Sequence, residues 1–280
     1  MNKLNTEKRA KILHCLVEGN SIRATSRLTN VAINSVIKLL IDAGKACSDF
    51  QDKVLRNLSC KRLQCDEIWS FCGAKEINVP AEEKGKGRGD VWTWTAICPD
   101  SKLVCGWYIG NRDGEAAYHF MHDLAGRLAN RVQMTSDGHR AYLAAVEDAF
   151  GTEIDFAQLV KIYGKSYNNT PEARYSPAVC MGARKAKIIG KPEYAHVSTS
   201  ICERNNLNMR MNMRRFTRLT NAFSKKVENL EHQVALSFMH YNFCRIHGSL
   251  RVTPAMEAGI ADHVWSLEEV IALIDKATDF

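Results

Sequence analysis

Residues 62–73 read RLQCDEIWSFCG, a run in which apolar and aromatic side chains alternate with polar ones until a glycine ends it. This period of two predicts a strand, with Asp66 in its middle among residues that should be buried. Residues 91–100 (VWTWTAICPD) and 102–114 (KLVCGWYIGNRDG) repeat the pattern, and each ends in turn-forming residues. Three consecutive strands predict an antiparallel meander.

The chain after this meander alternates between helical and strand patterns. Residues 114–130 (GEAAYHFMHDLAGRLAN) and 139–151 (HRAYLAAVEDAFG) have apolar side chains at helical spacing, whereas 131–138 (RVQMTSDG) and 154–164 (IDFAQLVKIYG) predict strands. The order strand, strand, strand, helix, strand, helix, strand is that of a ribonuclease H-like domain. We therefore predict an α/β fold in which a ribonuclease H-like catalytic domain contains a mixed five-stranded sheet.

The first 47 residues predict a separate all-α unit. Apolar spacing indicates helices over 8–17, 21–29 and 32–44, with Ser21 capping the second helix and Gly44 ending the third. Three short helices with a tight turn before the last are typical of a helix-turn-helix, although a plain three-helix bundle has the same pattern. The residues that the last helix would offer to a DNA groove are Asn34, Ser35 and Lys38.

These patterns divide the chain into four parts. We predict a helix-turn-helix domain at 1–47, a linker at 48–61, a ribonuclease H-like domain at 62–250 and a C-terminal helical tail at 251–280. The catalytic domain has an insertion near 161–197, whose role the sequence leaves open.

A long apolar seam follows Ser198. Its members alternate steps of three and four, which is typical of a helix face that packs on a core. One continuous helix and a helix broken near Thr220–Asn221 both fit this spacing. The seam consists of Met209, Met213, Phe216, Thr220, Phe223, Val227, Leu230 and Val234.

Positive charge is concentrated in the same part of the chain. The net charge of the whole protein is only +7, but residues 184–226 contain eleven Lys and Arg side chains and two acids. Such a block attracts nucleic-acid phosphates, although a charge run by itself is also typical of a solvated helix face. The arginines that we predict to bind DNA are Arg210, Arg214, Arg215 and Arg218.

Composition excludes several other classes of protein. Hydrophobic residues make up 45% of the chain and charged residues 25%, as in ordinary globular proteins, and no apolar run is long enough to cross a membrane. The N-terminal residues lack the pattern of a secretory signal, so we expect a soluble, cytoplasmic protein. Ten cysteines occur without any C-x-x-C spacing, which argues against a structural zinc site.

Three acids stand out against this background. Glu203 is alone in a basic stretch, at the edge of the apolar seam; Asp66 lies within a strand; and Asp137 ends one, at the rim of the sheet where α/β proteins bind ligands. A buried carboxylate needs a compensating positive group, and Mg²⁺ prefers such oxygen ligands. Two such Mg²⁺ ions about 4 Å apart can activate a water or a 3′-hydroxyl and stabilise the leaving oxygen in phosphoryl transfer.

Each acid also has an ordinary structural explanation. Asp66 can pair with an arginine, Asp137 can cap the helix that follows it, and Glu203 can interact with a helix dipole. Glu67 should point to the opposite face of the strand from Asp66, in at most a supporting role. His139, two residues after Asp137, is a weaker candidate.

Five segments resemble the DDE transposases of bacterial insertion sequences, and the insertion-sequence-one group most of all. These segments are CDEIWSF (65–71), TSDGHRAY (135–142), CERNNLNMR (202–210), FSKK (223–226) and YNFCRIHGSL (241–250). The resemblance implies that Asp66, Asp137 and Glu203 form the catalytic, metal-binding triad and that Arg210 orients DNA near it. It also implies Mg²⁺ dependence with two ions, Mn²⁺ as a substitute, terminal inverted repeats and target DNA as substrates, and assembly as a multimer on DNA, in the nucleoid of a bacterial cell.

The resulting hypothesis is a transposase that cleaves transposon ends and joins their 3′-hydroxyls to target DNA. Two alternatives remain open from the residues. One is a non-catalytic helix-turn-helix regulator, and the other is a ribonuclease H-like nuclease that cleaves without joining.

Overall fold

The computed structural model describes residues 4–164, 180–218 and 220–278. Its helices are α1 (Thr6–Val17), α2 (Ile22–Thr29), α3 (Ile33–Val54), α4 (Gly114–Ala125), α5 (Ala141–Phe150), α6 (Ser200–Asn212), α7 (Val227–Met239), α8 (Pro254–Glu257) and α9 (Leu267–Thr278). Its strands are β1 (Arg62–Cys72), β2 (Gly89–Ile97), β3 (Val104–Gly110), β4 (Val132–Asp137), β5 (Ile154–Tyr163) and β6 (Cys180–Ile189). The predicted order of three strands, helix, strand, helix and strand is confirmed from β1 to β5.

All six strands form one mixed sheet in the order β3-β2-β1-β4-β5-β6. The predicted meander is present, because β1 pairs antiparallel with β2 and β2 with β3. Strands β1, β4 and β5 are parallel neighbours, with Cys65 opposite Ser136 at the end of the β1–β4 pairing. This register brings the next residue of each strand, Asp66 and Asp137, to the same region of the sheet.

The prediction of a five-stranded sheet is wrong by one strand. Strand β6 lies inside the predicted insertion at 161–197 and pairs antiparallel with β5. Its sequence, CMGARKAKII, lacks a clear apolar alternation, and most of its residues are exposed at the edge of the sheet. A strand that buries so little leaves little hydrophobic signal in the sequence. Residues 165–179 of the insertion lie outside the described residues.

Helix α3 does not end at Gly44, as the sequence predicted, but continues for ten more residues to Val54. A side chain at Gly44 would place its Cβ atom 2.3 Å from the Cβ atom of His232 in α7. The glycine therefore permits close contact between two helices instead of terminating one. The predicted boundary between the 1–47 unit and the 48–61 linker falls within α3.

The N-terminal helices share one hydrophobic core with the sheet and with the C-terminal residues. Leu13 of α1, Leu40 of α3, Phe156 of β5 and Ile271 of α9 all belong to this buried cluster. An ion pair at 2.7 Å between Arg9 and Asp275 also joins α1 to α9. Helix α9, in the predicted 251–280 tail, is thus packed against the N-terminal helices.

The apolar seam after Ser198 is buried, but two helices carry it. Helix α6 ends at Asn212, a short 3₁₀ turn follows at Arg214–Phe216, and α7 begins at Val227. Members of the seam from both helices meet in a second buried cluster: Met209, Met213, Phe216, Leu230 and Val234. The break places Arg214 in the 3₁₀ turn, outside the helix that contains Glu203. None of the helices within the described residues is both long and apolar enough to span a bilayer.

Candidate metal centre and nucleic-acid interface

The three predicted acids line one cleft of about 690 Å³. Asp66 projects from β1, Asp137 is the last residue of the neighbouring parallel strand β4, and Glu203 lies in the first turn of α6. We call this region the acidic cleft. Its other lining residues are Arg112, Gly138, His139, Arg140, Leu159, Val160, Lys161 and Tyr163.

The tightest group of carboxylates contains a residue to which the sequence assigned only a supporting role. Oxygen atoms of Asp66, Glu67 and Asp137 lie within 4.8 Å of one another, a spacing that allows them to hold one metal ion. The Glu67 side chain is only 1% exposed, and its Oε2 atom accepts a hydrogen bond from Nε of Arg112 at 3.1 Å. Its Oε1 atom is buried, beside the hydroxyl of Tyr142.

Glu203 lines the cleft but lies outside that tight group. Its Oε1 atom is 2.6 Å from the ammonium of Lys161 on β5 and accepts a hydrogen bond of 2.5 Å from the hydroxyl of Thr199. The Glu203 side chain is 41% exposed, so it is accessible from solvent. Burial lowers the pKa of Lys161, but the hydrogen bond and charge of Glu203 outweigh that effect and raise it.

The surroundings of the two aspartates leave oxygen atoms directed into the cleft. Asp66 accepts hydrogen bonds from Nδ2 of Asn206 at 2.8 Å and from the backbone N–H of Glu67 at 2.9 Å. No arginine in the described residues forms an ion pair with Asp66. Asp137 accepts from the backbone N–H of His139 with Oδ1, while its Oδ2 is 3.6 Å from Nη2 of Arg112.

The electrostatics of this group favour a bound cation. Burial, and then the charges of Glu67 and Asp137, raise the pKa of Asp66 to about 7. Burial, and then Asp137, raise the pKa of Glu67 to about 7, although Tyr142 and then Arg112 partly oppose the shift. Asp66 and Glu67 therefore resist ionisation beside the neighbouring acids, and a divalent cation would relieve that repulsion. The donors are all hard oxygen atoms, which suit a hard divalent cation.

Sequence reasoning missed three residues that shape the acidic cleft. Arg112 lies after β3, bridges Glu67 and Asp137, and places its guanidinium 4.9 Å from the centre of the Trp92 ring. Lys161 and Asn206 contact predicted acids directly. The position of Asn206, three residues after Glu203 and on the same side of a helix, was a usable signal. The other two depend on the tertiary fold.

The predicted basic residues do not all lie together. Arg214 and Arg215 line a groove with Ser21 and Arg23 of the N-terminal helical unit. Burial lowers the pKa of Arg215 to about 10, and its Nη1 atom donates to the hydroxyl of Ser224 at 2.7 Å. This groove therefore joins the basic segment to the helices that we predicted to contact DNA.

Arg210 and Arg218 differ in exposure. Arg210 is partly buried, and its Nη1 atom donates to the carbonyl of Phe216 at 3.3 Å. It does not line the acidic cleft. Arg218 is exposed.

The residues predicted to face a DNA groove are exposed in the first turns of α3. Asn34 and Ser35 have open side chains, and Lys38 forms an exposed ion pair with Asp42 at 2.6 Å, four residues further along the helix. Such a pair contributes little to stability, so Lys38 remains available for a phosphate or a base.

No protein-family model matches the chain, and no curated protein matches it in sequence. Among solved structures, the chain is similar to one described as the crystal structure of the Mos1 strand transfer complex. The two share 9% sequence identity, with 86% of this chain and 78% of that chain covered, and the TM-score is 0.24. A similarity this low supports no statement about function.

Proposed function

We propose that this protein is a DDE-type DNA transposase with a ribonuclease H-like catalytic domain. In this proposal it cleaves the ends of a mobile element and joins their 3′-hydroxyl groups to target DNA. The observation that carries the proposal is the convergence of Asp66, Asp137 and Glu203 on one cleft, from three elements far apart in the sequence. The order β3-β2-β1-β4-β5 of the sheet and the motif resemblance to the insertion-sequence-one group support the same class.

The residues of the acidic cleft divide into ligands and supporting groups. Asp66, Asp137 and Glu203 would hold two Mg²⁺ ions, for which Mn²⁺ would substitute. Two ions in such a site activate the attacking water or 3′-hydroxyl and stabilise the leaving oxygen. Asn206 fixes the orientation of Asp66, and Arg112 restrains Asp137.

Glu67 and Glu203 are the two candidates for the third acid of the site, and they differ in how exposed their side chains are to solvent. Glu67 is buried and bound to Arg112, so a DNA strand cannot reach it, whereas Glu203 borders the open cleft. We therefore assign Glu67 a positioning role. Lys161 would give up its contact with Glu203 when a divalent cation enters, because the ion offers that carboxylate a higher charge.

DNA binding in this proposal uses surfaces beyond the cleft. Asn34, Ser35 and Lys38 read the terminal inverted repeats, while the groove that contains Arg214 and Arg215 holds phosphates. Arg210 supports the chain next to α6, and Arg218 adds an exposed charge. Two ends must be held together for joining, so the active form is a homo-oligomer on DNA.

A strand-transfer assay tests the proposal. The substrate is labelled DNA that carries the sequences flanking the reading frame, incubated with Mg²⁺ and a target plasmid. We expect Asp66→Asn and Glu203→Gln to abolish both cleavage and joining while DNA binding persists. Asp100→Asn is the matched control, because Asp100 pairs with Arg62 on the surface away from the cleft.

Three results would contradict the assignment. Unchanged joining by Asp66→Asn or Glu203→Gln would show that these carboxylates do not catalyse it. Cleavage without joining by the unaltered protein would identify a nuclease, and sequence-specific binding without cleavage would identify a regulator.

A further inference from the structure

A second pocket lies on another face of α6 from the acidic cleft. Residues Ile201, Arg204, Asn205 and Asn208 line it with the spacing of one helix face, and its volume is about 550 Å³. The rest of its wall comes from the end of β2, the turn that follows, and the segment after α7. Those residues are Ile97, Lys102, Tyr241, Arg245, Ile246, His247, Gly248 and Ser249. We call this region the basic pocket.

The charge of the basic pocket is entirely of one sign. Lys102, Arg204 and Arg245 line it, and no carboxylate belongs to its lining within the described residues. Arg204 and Arg245 are exposed and form no ion pair with any described residue, and the ammonium of Lys102 donates to the carbonyl of Pro99. Three cations without acidic partners repel one another, and an anion in the pocket would relieve that repulsion.

The positive charge of the basic pocket also affects the pKa of His247. Burial, and then the charges of Lys102 and Arg245, lower its pKa. Its Nδ1 atom lies 3.0 Å from the hydroxyl of Ser249, which also lines the pocket. This contact restrains the imidazole of His247 at the wall of the pocket. The other ring nitrogen, Nε2, takes no part in the contact with Ser249.

A buried donor in the same wall lacks an acceptor. Asn205 is 3% exposed, and its Nδ2 atom has no hydrogen-bond partner among the described residues. A buried donor without an acceptor is destabilising, so native proteins rarely retain one without a reason. An oxygen atom of a ligand in the pocket would accept this hydrogen bond and remove the cost.

We propose that the basic pocket binds the phosphodiester backbone of a DNA strand, with Arg204, Arg245 and Lys102 as its cations and Asn205 as a buried donor. Several separate cations suit a chain of phosphates better than a single ion, since each neutralises one phosphate and releases counterions. The choice of DNA as the polyanion rests on the proposed function. In this arrangement α6 contacts DNA on one face while Glu203, on its other side, borders the acidic cleft.

The salt dependence of DNA binding tests this proposal. A labelled duplex of random sequence is titrated with the full-length protein at several salt concentrations, and the slope of log K against log salt is compared between proteins. For R204Q/R245Q we expect the magnitude of the slope to fall by about 0.9 for each phosphate that the variant no longer neutralises. Asn205→Asp, which conserves size, should weaken binding at every salt concentration because it places a negative charge in the pocket.

Lys276→Gln is the matched control, since Lys276 is an exposed cation on α9 outside the pocket. It should bind DNA as the unaltered protein does. Thermal unfolding and circular dichroism establish that each variant is folded before its slope is interpreted.

A slope for folded R204Q/R245Q equal to that of the unaltered protein would overturn the inference. If inorganic phosphate then stabilises the unaltered protein against unfolding but does not stabilise R204Q/R245Q, the ligand of the pocket is a small phosphate and not DNA. Failure of the proposed function has a different signature: the unaltered protein would not join DNA, or Asp66→Asn would still join it, whatever the slope of R204Q/R245Q.

Discussion

The two sides of α6 border regions of opposite charge. On one side Glu203 borders a cleft in which Asp66, Glu67 and Asp137 crowd negative charge together. On the other, Arg204 and its neighbours line a pocket with cations and, within the described residues, no acid. The carboxylates of the acidic cleft repel phosphate unless a bound cation offsets their charge, whereas the basic pocket attracts phosphate directly.

This contrast explains how one helix would serve both binding and chemistry. Bases alone hold a DNA backbone but supply no group that activates an attacking oxygen. Carboxylates bring the cation that does so, but they cannot hold the polyanion by themselves. Variants on each side of α6 should therefore separate affinity from reaction rate.

Variants of the two glutamates near the acidic cleft should give the largest change in reaction rate without a change in DNA affinity. Glu203→Gln should lower the rate of DNA cleavage by at least about 10³-fold, the scale of losing a member of an interdependent catalytic set. Glu67→Gln should lower it by about 10–100-fold, as expected for a group that positions a ligand. Single-turnover cleavage with saturating DNA measures both rates.

Binding affinity serves as the control for this pair, because neither variant touches the basic pocket. The reverse ranking, with Glu67→Gln the more damaging change, would make Asp66, Glu67 and Asp137 the metal-binding set. It would also leave Glu203 as a partner of Lys161 only.

The carboxylates of the acidic cleft should also determine how the stability of the folded protein depends on pH. The pKa of Asp66 rises from 3.8 to about 7 on folding, so the folded protein binds more protons than the unfolded chain between these values. Without metal, stability should therefore fall as pH rises from about 4 to about 7. Relative to the unaltered protein, Asp66→Asn should gain about 4 kcal/mol over this range, since asparagine does not ionise.

Urea unfolding in the presence of a chelator, repeated across this pH range, measures the difference. Arg204→Gln, on the other side of α6, should follow the pH dependence of the unaltered protein. Equal pH profiles for Asp66→Asn and the unaltered protein would show that Asp66 ionises normally in the fold.

The smallest effect should come from Lys161, which competes with a metal ion for Glu203. An ion pair this exposed contributes about 1 kcal/mol at most, so Lys161→Gln should raise the affinity for Mn²⁺ by no more than about fivefold. Metal titration of this variant beside Lys187→Gln, an exposed lysine on β6, tests the competition. Weaker metal binding by Lys161→Gln would show that the ammonium supports the site.

The sequence predicted the parts of this structure that depend on local periodicity. Strands β1 to β5 and the helices between them follow the patterns of two and 3.6 residues. Asp66 and Asp137 were found because an acid within or at the end of a buried strand is conspicuous. The resemblance to transposases added the roles of these residues.

The remaining features depend on contacts between distant residues. Gly44 has the appearance of a helix terminator, but packing against His232 lets α3 continue. Strand β6 forms on the edge of β5 with little apolar pattern of its own. Glu67 reaches the acidic group because the sheet and Arg112 hold it there, which strand alternation alone cannot predict.

The central claim is that the carboxylates of the acidic cleft hold divalent cations, and direct titration with Mn²⁺ tests it best. The paramagnetic resonance signal of free Mn²⁺ reports binding without any DNA or reaction. We predict that the unaltered protein and Arg204→Gln bind the ion equally, while Asp66→Asn and Asp137→Asn weaken binding by at least about tenfold. Equal Mn²⁺ affinity for the unaltered protein and both aspartate variants would contradict the claim.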